Sequence, residues 1–163
     1  MSARSGTRVV AALSIVALAL TGCTPGQATV GPPAATPTAA AAAGPIKVTL
    51  QEWAVVPASM SAAAGAVTFQ VTNTGPADVH EFVVLKTDLD PGALPVDATG
   101  AVTETGAGIT VVDEIEDIPV GQSQDLSVTL AAGKYVLLCN IYDETEKEAH
   151  YKMGMRIAFT VGG

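Results

Sequence analysis

The chain of 163 residues is short of aromatics, basic groups, cysteine and histidine, and each shortage closes off a class of function. One Trp, three Tyr and three Phe amount to 4% of the sequence, so a core must rest mainly on Val, Ile, Leu and Ala. The 48% apolar content still excludes wholesale disorder. Eight Lys and Arg face 16 Asp and Glu; Arg4 and Arg8 lie in the first eight residues, and no acidic residue precedes Glu52. Without that basic start the net charge is about −10, which repels phosphate backbones and excludes nucleic-acid binding. Two cysteines, Cys23 and Cys139, are too few for a disulfide-built scaffold. No Gly-rich phosphate loop and no hydrolase-type nucleophile motif is present, so nucleotide binding and nucleophilic catalysis have no foothold. The longest apolar run, Val9 to Leu20, spans only ~18 Å as a helix against a hydrocarbon core of ~30 Å.

What is present begins with an export leader. Arg4 and Arg8 form a basic region ahead of the Val9–Leu20 run, and residues 1–22 read as a lipoprotein signal peptide. Leu20-Thr21-Gly22-Cys23 resembles the bacterial lipobox, in which the cysteine is diacylated (palmitate being one such chain) and becomes the first mature residue. The alternative is an ordinary secretory cleavage site with a chance cysteine. No Arg-Arg pair supports the twin-arginine route. Two acyl chains anchor stably where one does not. Residues 23–45, rich in Pro, Ala, Thr and Gly, read as a disordered tether whose ends average ~25 Å apart. The expected location is the outer face of the bacterial cytoplasmic membrane, reached through the lipid anchor.

Residues 46–163 form the expected domain. Ile46–Glu52, Ala66–Asn73, Val79–Lys86, Ile109–Val112, Ser123–Leu130, Lys134–Asn140 and Met155–Val161 read as strands, rich in Val, Ile and Thr and set off by Gly, Pro, Asn and Asp. Val67, Phe69 and Val71 alternate with Thr68, Gln70 and Thr72, and no segment keeps a helical period. These features predict an all-β, antiparallel sandwich, with Thr87–Gly108 as a long excursion between strands.

The chain has two histidines, His80 and His150, and Cys139 is its one cysteine outside the leader. An unpaired thiol in an exported domain calls for a specific use, because that compartment oxidises or pairs thiols; a small buried hydrophobe is the plainer reading. Position favours the specific use. His80 starts one strand, Cys139 ends another, Met155 begins the last, and His150 lies in the connection between the latter two. If their strand faces are the core faces, the donors gather at one pole. Two imidazoles, a thiolate and a weak thioether are the donor set of a trigonal blue-copper site. Met153 shares the strand parity of Met155 and competes with it. Trp53 and Tyr142 are candidates for an electron route, with a core role as the alternative for Trp53.

Val71-Thr72-Asn73-Thr74-Gly75, His80-Glu81-Phe82-Val83-Val84, Tyr135 to Cys139, and His150-Tyr151-Lys152-Met153-Gly154-Met155 together resemble the cupredoxins, over nearly all of Ile46 to Val161. The resemblance implies a Greek-key sandwich holding one mononuclear type 1 copper through His80, Cys139, His150 and Met155. One departure stands out: ten residues, Asn140 to Ala149, separate the cysteine from the second histidine where the family has only a few. The insert carries Asp143, Glu144, Glu146 and Glu148 and is expected as a solvated loop or short helical turn, with a carboxylate in reach of the metal as a further option.

The leading expectation is therefore a monomeric, membrane-tethered carrier of single electrons, not an enzyme, that meets redox partners bearing basic patches. A copper storage or delivery module is the alternative. A domain that kept the sandwich and lost its metal is a third, opposed by the survival of all four donors in order. The anchor is open to a direct check. Cys23→Ala is expected to release the protein from membranes or leave it unprocessed, read by fractionation and mature size; a mature-sized variant that stays with membranes as wild type does rules the lipobox out.

Overall fold

The computed structural model describes residues 44–163; the leader, Cys23 and the tether as far as residue 43 lie outside the described residues. No helix among the described residues is long and apolar enough to cross a membrane. In chain order the elements are β1 (Ile46–Gln51), β2 (Ala54–Pro57), β3 (Ser61–Ala63), β4 (Gly65–Asn73), β5 (His80–Lys86), β6 (Thr110–Ile118), β7 (Ser123–Leu130), β8 (Gly133–Leu138), β9 (Tyr142–Asp143), β10 (Glu148–Ala149), α1 (His150–Met153) and β11 (Arg156–Gly162). They form a four-stranded sheet, β2-β1-β4-β7, a five-stranded sheet, β3-β11-β8-β5-β6, and a two-stranded ladder of β9 with β10.

Alternation decides which face of the four-stranded sheet is wet. In β4, Val67, Phe69 and Val71 are buried; in β7, Leu126, Val128 and Leu130 are buried and the residues between them exposed. The outer face pairs small hydroxyls across strands instead, Thr68 with Ser127 at 2.9 Å and Thr72 with Ser123 at 2.7 Å. Phe69, Phe82 and Phe159 meet in the middle of the core at 5.4 and 5.6 Å between rings. Strands β5 and β8 do not alternate, because they are covered twice. Val83, Leu85, Val136 and Leu138 face a second cluster made with Leu94, Val102 and Tyr151, so the Thr87–Gly108 excursion is a cover over the outer face of the second sheet.

The sandwich departs from the expected antiparallel arrangement in two pairings: β1 runs parallel to β4 in the middle of the first sheet, and β3 runs parallel to β11 at the edge of the second. Parallel neighbours need a crossover, and the chain supplies one. It leaves the first sheet after β2, runs along the edge of the second as β3, and returns as β4. Strand β6 also extends to Ile118, six residues past the expected end at Val112. Its extension carries Asp113, Glu114, Glu116 and Asp117, charges that suit an edge strand by discouraging pairing with other chains.

Beside that edge, oxygens of Glu81, Glu104 and Glu114 lie within 4.8 Å of one another, and Glu114 Oε2 is buried without a hydrogen-bond partner. Burial first, then Glu114 and Glu104, push the Glu81 carboxyl up to about 7; burial and neighbouring carboxylates raise Glu114 as well. Both folded values lie above the ordinary 4.5, so the folded state holds protons that the unfolded chain releases. This stability is fully present below pH 4.5 and is lost as pH rises through about 7. In the apoprotein the two buried histidines, whose values burial lowers, pull the slope the other way near pH 6.5, so the carboxyl contribution, on the order of 2 kcal/mol for Glu81, is read as the difference between wild type and Glu114→Gln. Glu114→Gln is expected to gain on wild type in urea midpoint as pH rises through about 7; midpoints that stay parallel show that the three carboxyls do not interact.

Candidate metal centre

The histidines and Cys139 reach one pole because short backbone bonds fold the last ligand segment onto itself. Cys139, directly after β8, donates its N–H to Met155 O at 3.0 Å; Met155 N–H donates to His150 O at 3.1 Å; His150 N–H donates to Ile141 O at 2.9 Å. The third bond closes the insert at its base. The ten residues form the β9–β10 hairpin, neither an open loop nor a helical turn, so distance in sequence adds no distance in space. His80, at the head of β5, is held by the loop before it. Buried Asn73 donates to Asp78 O and Ile118 O, both at 2.8 Å, and accepts from Gly75 N–H at 2.8 Å. Gly75 takes a φ of +70°, and a Cβ there would meet Val120 at 2.8 Å.

Within the pole, His80 Nδ1 lies 3.3 Å from His150 Nδ1, and Cys139 Sγ lies 3.4 Å from His150 Nδ1. One donor atom from each of the three residues falls within 4.8 Å of the other two. Their exposures are 0%, 1% and 0% for His80, His150 and Cys139, and Met155, bonded across from Cys139, is also at 0%. Met153 sits on α1 and is 41% exposed. No carboxylate belongs to the cluster among the described residues. Two of the insert's four are engaged elsewhere: Asp143 accepts from Thr145 and Glu146 N–H, and Glu144 pairs with Lys147 at 2.8 Å.

Burial sets the charge state of these donors. It pushes the Cys139 thiol up to about 12, against the opposing N–H groups of Glu81 and Ile141. It pulls both imidazoles below their ordinary 6.5; for His80 the other imidazole lowers it further, while Glu52 and Asp78 partly offset the effect. Without metal the pocket therefore holds a neutral thiol and neutral imidazoles whose Nδ1 atoms face each other. Both Nε2 atoms are buried without a hydrogen-bond partner, a cost of about 1–3 kcal/mol each. A dry pocket of mutually facing soft and borderline donors is poorly satisfied by itself and well matched to a soft cation. The residues fit a single type 1 copper site, with His80, Cys139 and His150 as the strong donors and Met155 beside them.

Other residues shape the pole. Glu52 Oε1 accepts from Ala77 N–H at 3.0 Å and Asp78 N–H at 2.7 Å and stands 3.7 Å from His80 Nε2. Nothing in a lone glutamate at a strand end signals this. Trp53 packs edge-on against both imidazoles, whereas Tyr142 lies in the hairpin. Asn140, following Cys139, accepts from Val102 N–H at 2.5 Å and donates to Val102 O at 3.0 Å. Tyr151, following His150, accepts from Leu94 N–H at 3.1 Å and donates to Pro91 O at 2.7 Å. The neighbours of two ligands thus both grip the excursion.

No protein-family model matches the sequence, and no curated protein matches it. Solved structures do. Auracyanin from the photosynthetic bacterium Roseiflexus castenholzii, in a dithionite-reduced form, matches with 24% identity over 76% of this chain and 100% of its own, at a TM-score of 0.55. Auracyanin B matches with 20% identity over 77% of this chain and 94% of its own, at 0.52. At these identities the likeness carries the fold, and that fold is the cupredoxin sandwich.

The two methionines occupy contrasting surroundings, and that contrast is measurable. In the copper-loaded protein Met155→Leu is expected to raise the reduction potential, because losing a thioether donor favours Cu(I); Met153→Leu, an exposed volume-conserving change, is expected to leave it unmoved. Voltammetry showing the reverse moves the axial role to Met153.

Proposed function

We propose that this cupredoxin-fold domain is a one-electron carrier, tethered outside the cytoplasmic membrane through Cys23. The observation that carries the reading is the buried cluster of His80, Cys139 and His150 with Met155 alongside. Copper bound there supplies a Cu(I)/Cu(II) couple. The residues' part is to keep the donors in one place through both states. Backbone bonds from Cys139, His150 and Met155 fix the ligand segment, the Glu81 N–H steadies the sulfur at 3.2 Å, and burial excludes water. A site that does not rearrange presents a small barrier to exchange. The auracyanin match, a protein crystallised in a reduced form, supports a redox reading.

The remaining parts of the proposal rest on sequence. The tether lets the domain swing between a donor and an acceptor, and its acidic surface steers it toward basic patches on redox partners. Delivery of copper to another protein remains the competing reading. Delivery needs a route by which copper leaves; the base of the Asn140–Ala149 insert beside the pocket is closed by the β9–β10 pairing and the His150–Ile141 bond, which supports retention.

Adding Cu(II) to the purified protein tests the proposal. One copper per chain with a thiolate-to-copper band in the visible is expected, and Cys139→Ser is expected to abolish the band because a hydroxyl cannot replace the thiolate. Copper should also survive cycles of reductant and oxidant in the presence of a Cu(I) chelator. Stoichiometric binding unaffected by Cys139→Ser overturns the site; transfer to the chelator on reduction selects delivery.

A further inference from the structure

Every donor residue of the pocket is closed to solvent, at 0% to 1% exposure, and both outer imidazole nitrogens are buried as well. An electron entering or leaving therefore crosses another side chain. Among the described residues one aromatic, Trp53, meets the imidazoles: its ring centroid lies 5.0 Å from that of His150 and 6.4 Å from that of His80, edge-on to both at 62° and 69°. Trp53 is itself only half-buried, so the indole joins the sealed pocket to the surface. Its place is fixed from two sides. Glu52, the residue before it, is bonded to the loop leading into His80, and the Trp53 carbonyl packs against Gly154, where a Cβ would stand 3.0 Å away. Other aromatics near the pole lack this combination: Tyr151 is 1% exposed and hydrogen-bonded into the excursion, and Tyr142 makes no ring contact with either histidine.

We propose that Trp53 is the electron port of the pocket. The indole edge provides a packed π-contact between the two imidazoles and a partner's redox group, replacing a gap across which tunnelling would fall off steeply. The balance is simple: one electron leaves the reduced site and one outer-sphere acceptor is reduced by one electron. No bond forms or breaks, no proton moves, and the indole is not oxidised. The proposal rests on the copper reading above.

Two measurements test it. In the apoprotein Trp53 is the only tryptophan, so quenching of its emission by acrylamide reports directly whether the indole edge is reachable. In the copper-loaded protein, stopped-flow oxidation by tris(phenanthroline)cobalt(III), a cationic one-electron acceptor suited to the acidic surface, is compared for wild type, Trp53→Leu and Trp53→Phe. The expected result is efficient quenching, slowing by about an order of magnitude in Trp53→Leu when rates are compared at matched driving force with the visible band retained, and recovery of most of the rate in Trp53→Phe. An unchanged or faster rate in Trp53→Leu overturns the proposal, the faster rate making Trp53 a shield. If Trp53→Leu does not fold, an indole inaccessible to acrylamide, or a Trp53→Phe protein faster than wild type, overturns it. A wild-type protein that never develops the thiolate band is the failure of the copper reading itself, and ends this proposal with it.

Discussion

The bond from Cys139 N–H to Met155 O, 3.0 Å long, is the contact on which the pole of the sandwich depends. It continues the β8–β11 ladder one step past Leu138 and Arg156, the last regular pair. That step brings the thiol and the thioether side by side at the mouth of the core. Once Cys139 and Met155 are joined, the fifteen residues between them must return on themselves, and the bonds of His150 to Ile141 and Met155 to His150 show how. The helix α1 is a single turn because it only has to present His150 and come back. Asn140 and Tyr151 then fasten both flanks to the excursion, so a segment outside the two sheets sets the ligand geometry.

The pocket opposes local stability. A buried thiol, two facing imidazoles and two unpartnered Nε2 atoms would be expensive in a core with no ligand to satisfy them. Burial keeps all three groups neutral, which avoids isolated charges but leaves polar atoms unmatched. The frame around them is correspondingly strong: Leu50, Phe69, Phe82 and Leu137 are fully enclosed nearby, and the Asn73 side chain ties Gly75 and Asp78, in the loop before His80, to Ile118 at the end of β6.

Strands that alternate, such as Val67-Phe69-Val71 and Leu126-Val128-Leu130, were legible in the sequence because one face meets water. The donors were legible because soft side chains are so rare in this chain that their order alone narrows the chemistry. Strands β2 and β3 were not, since Ala54–Pro57 and Ser61–Ala63 are short, carry small residues and include a proline. The end of β6 was hidden by its charges, which read as loop until the edge position explains them. The parallel pairs depend on where the chain crosses between sheets, a matter of three dimensions that periodicity does not encode. Neither does it encode the excursion's role: Leu94 and Val102 look like chance apolar residues among prolines and glycines, and only packing on β5 and β8 makes them a cover.

The hairpin closed by His150 and Ile141 separates two quantities that are usually tied together, loop length and donor spacing. Its tip, residues 144–147, is exposed, and its base is pinned by backbone bonds beneath it. Extra residues at the tip lengthen the ladder or its turn while Cys139 and His150 stay where they are, and loop-closure entropy grows only slowly with length. The tip is therefore a neutral ground for change beside an intolerant pocket. A lineage can vary it, or an engineer can graft a recognition sequence or a fluorophore there, and so alter whom the protein meets while the chemistry below stays the same.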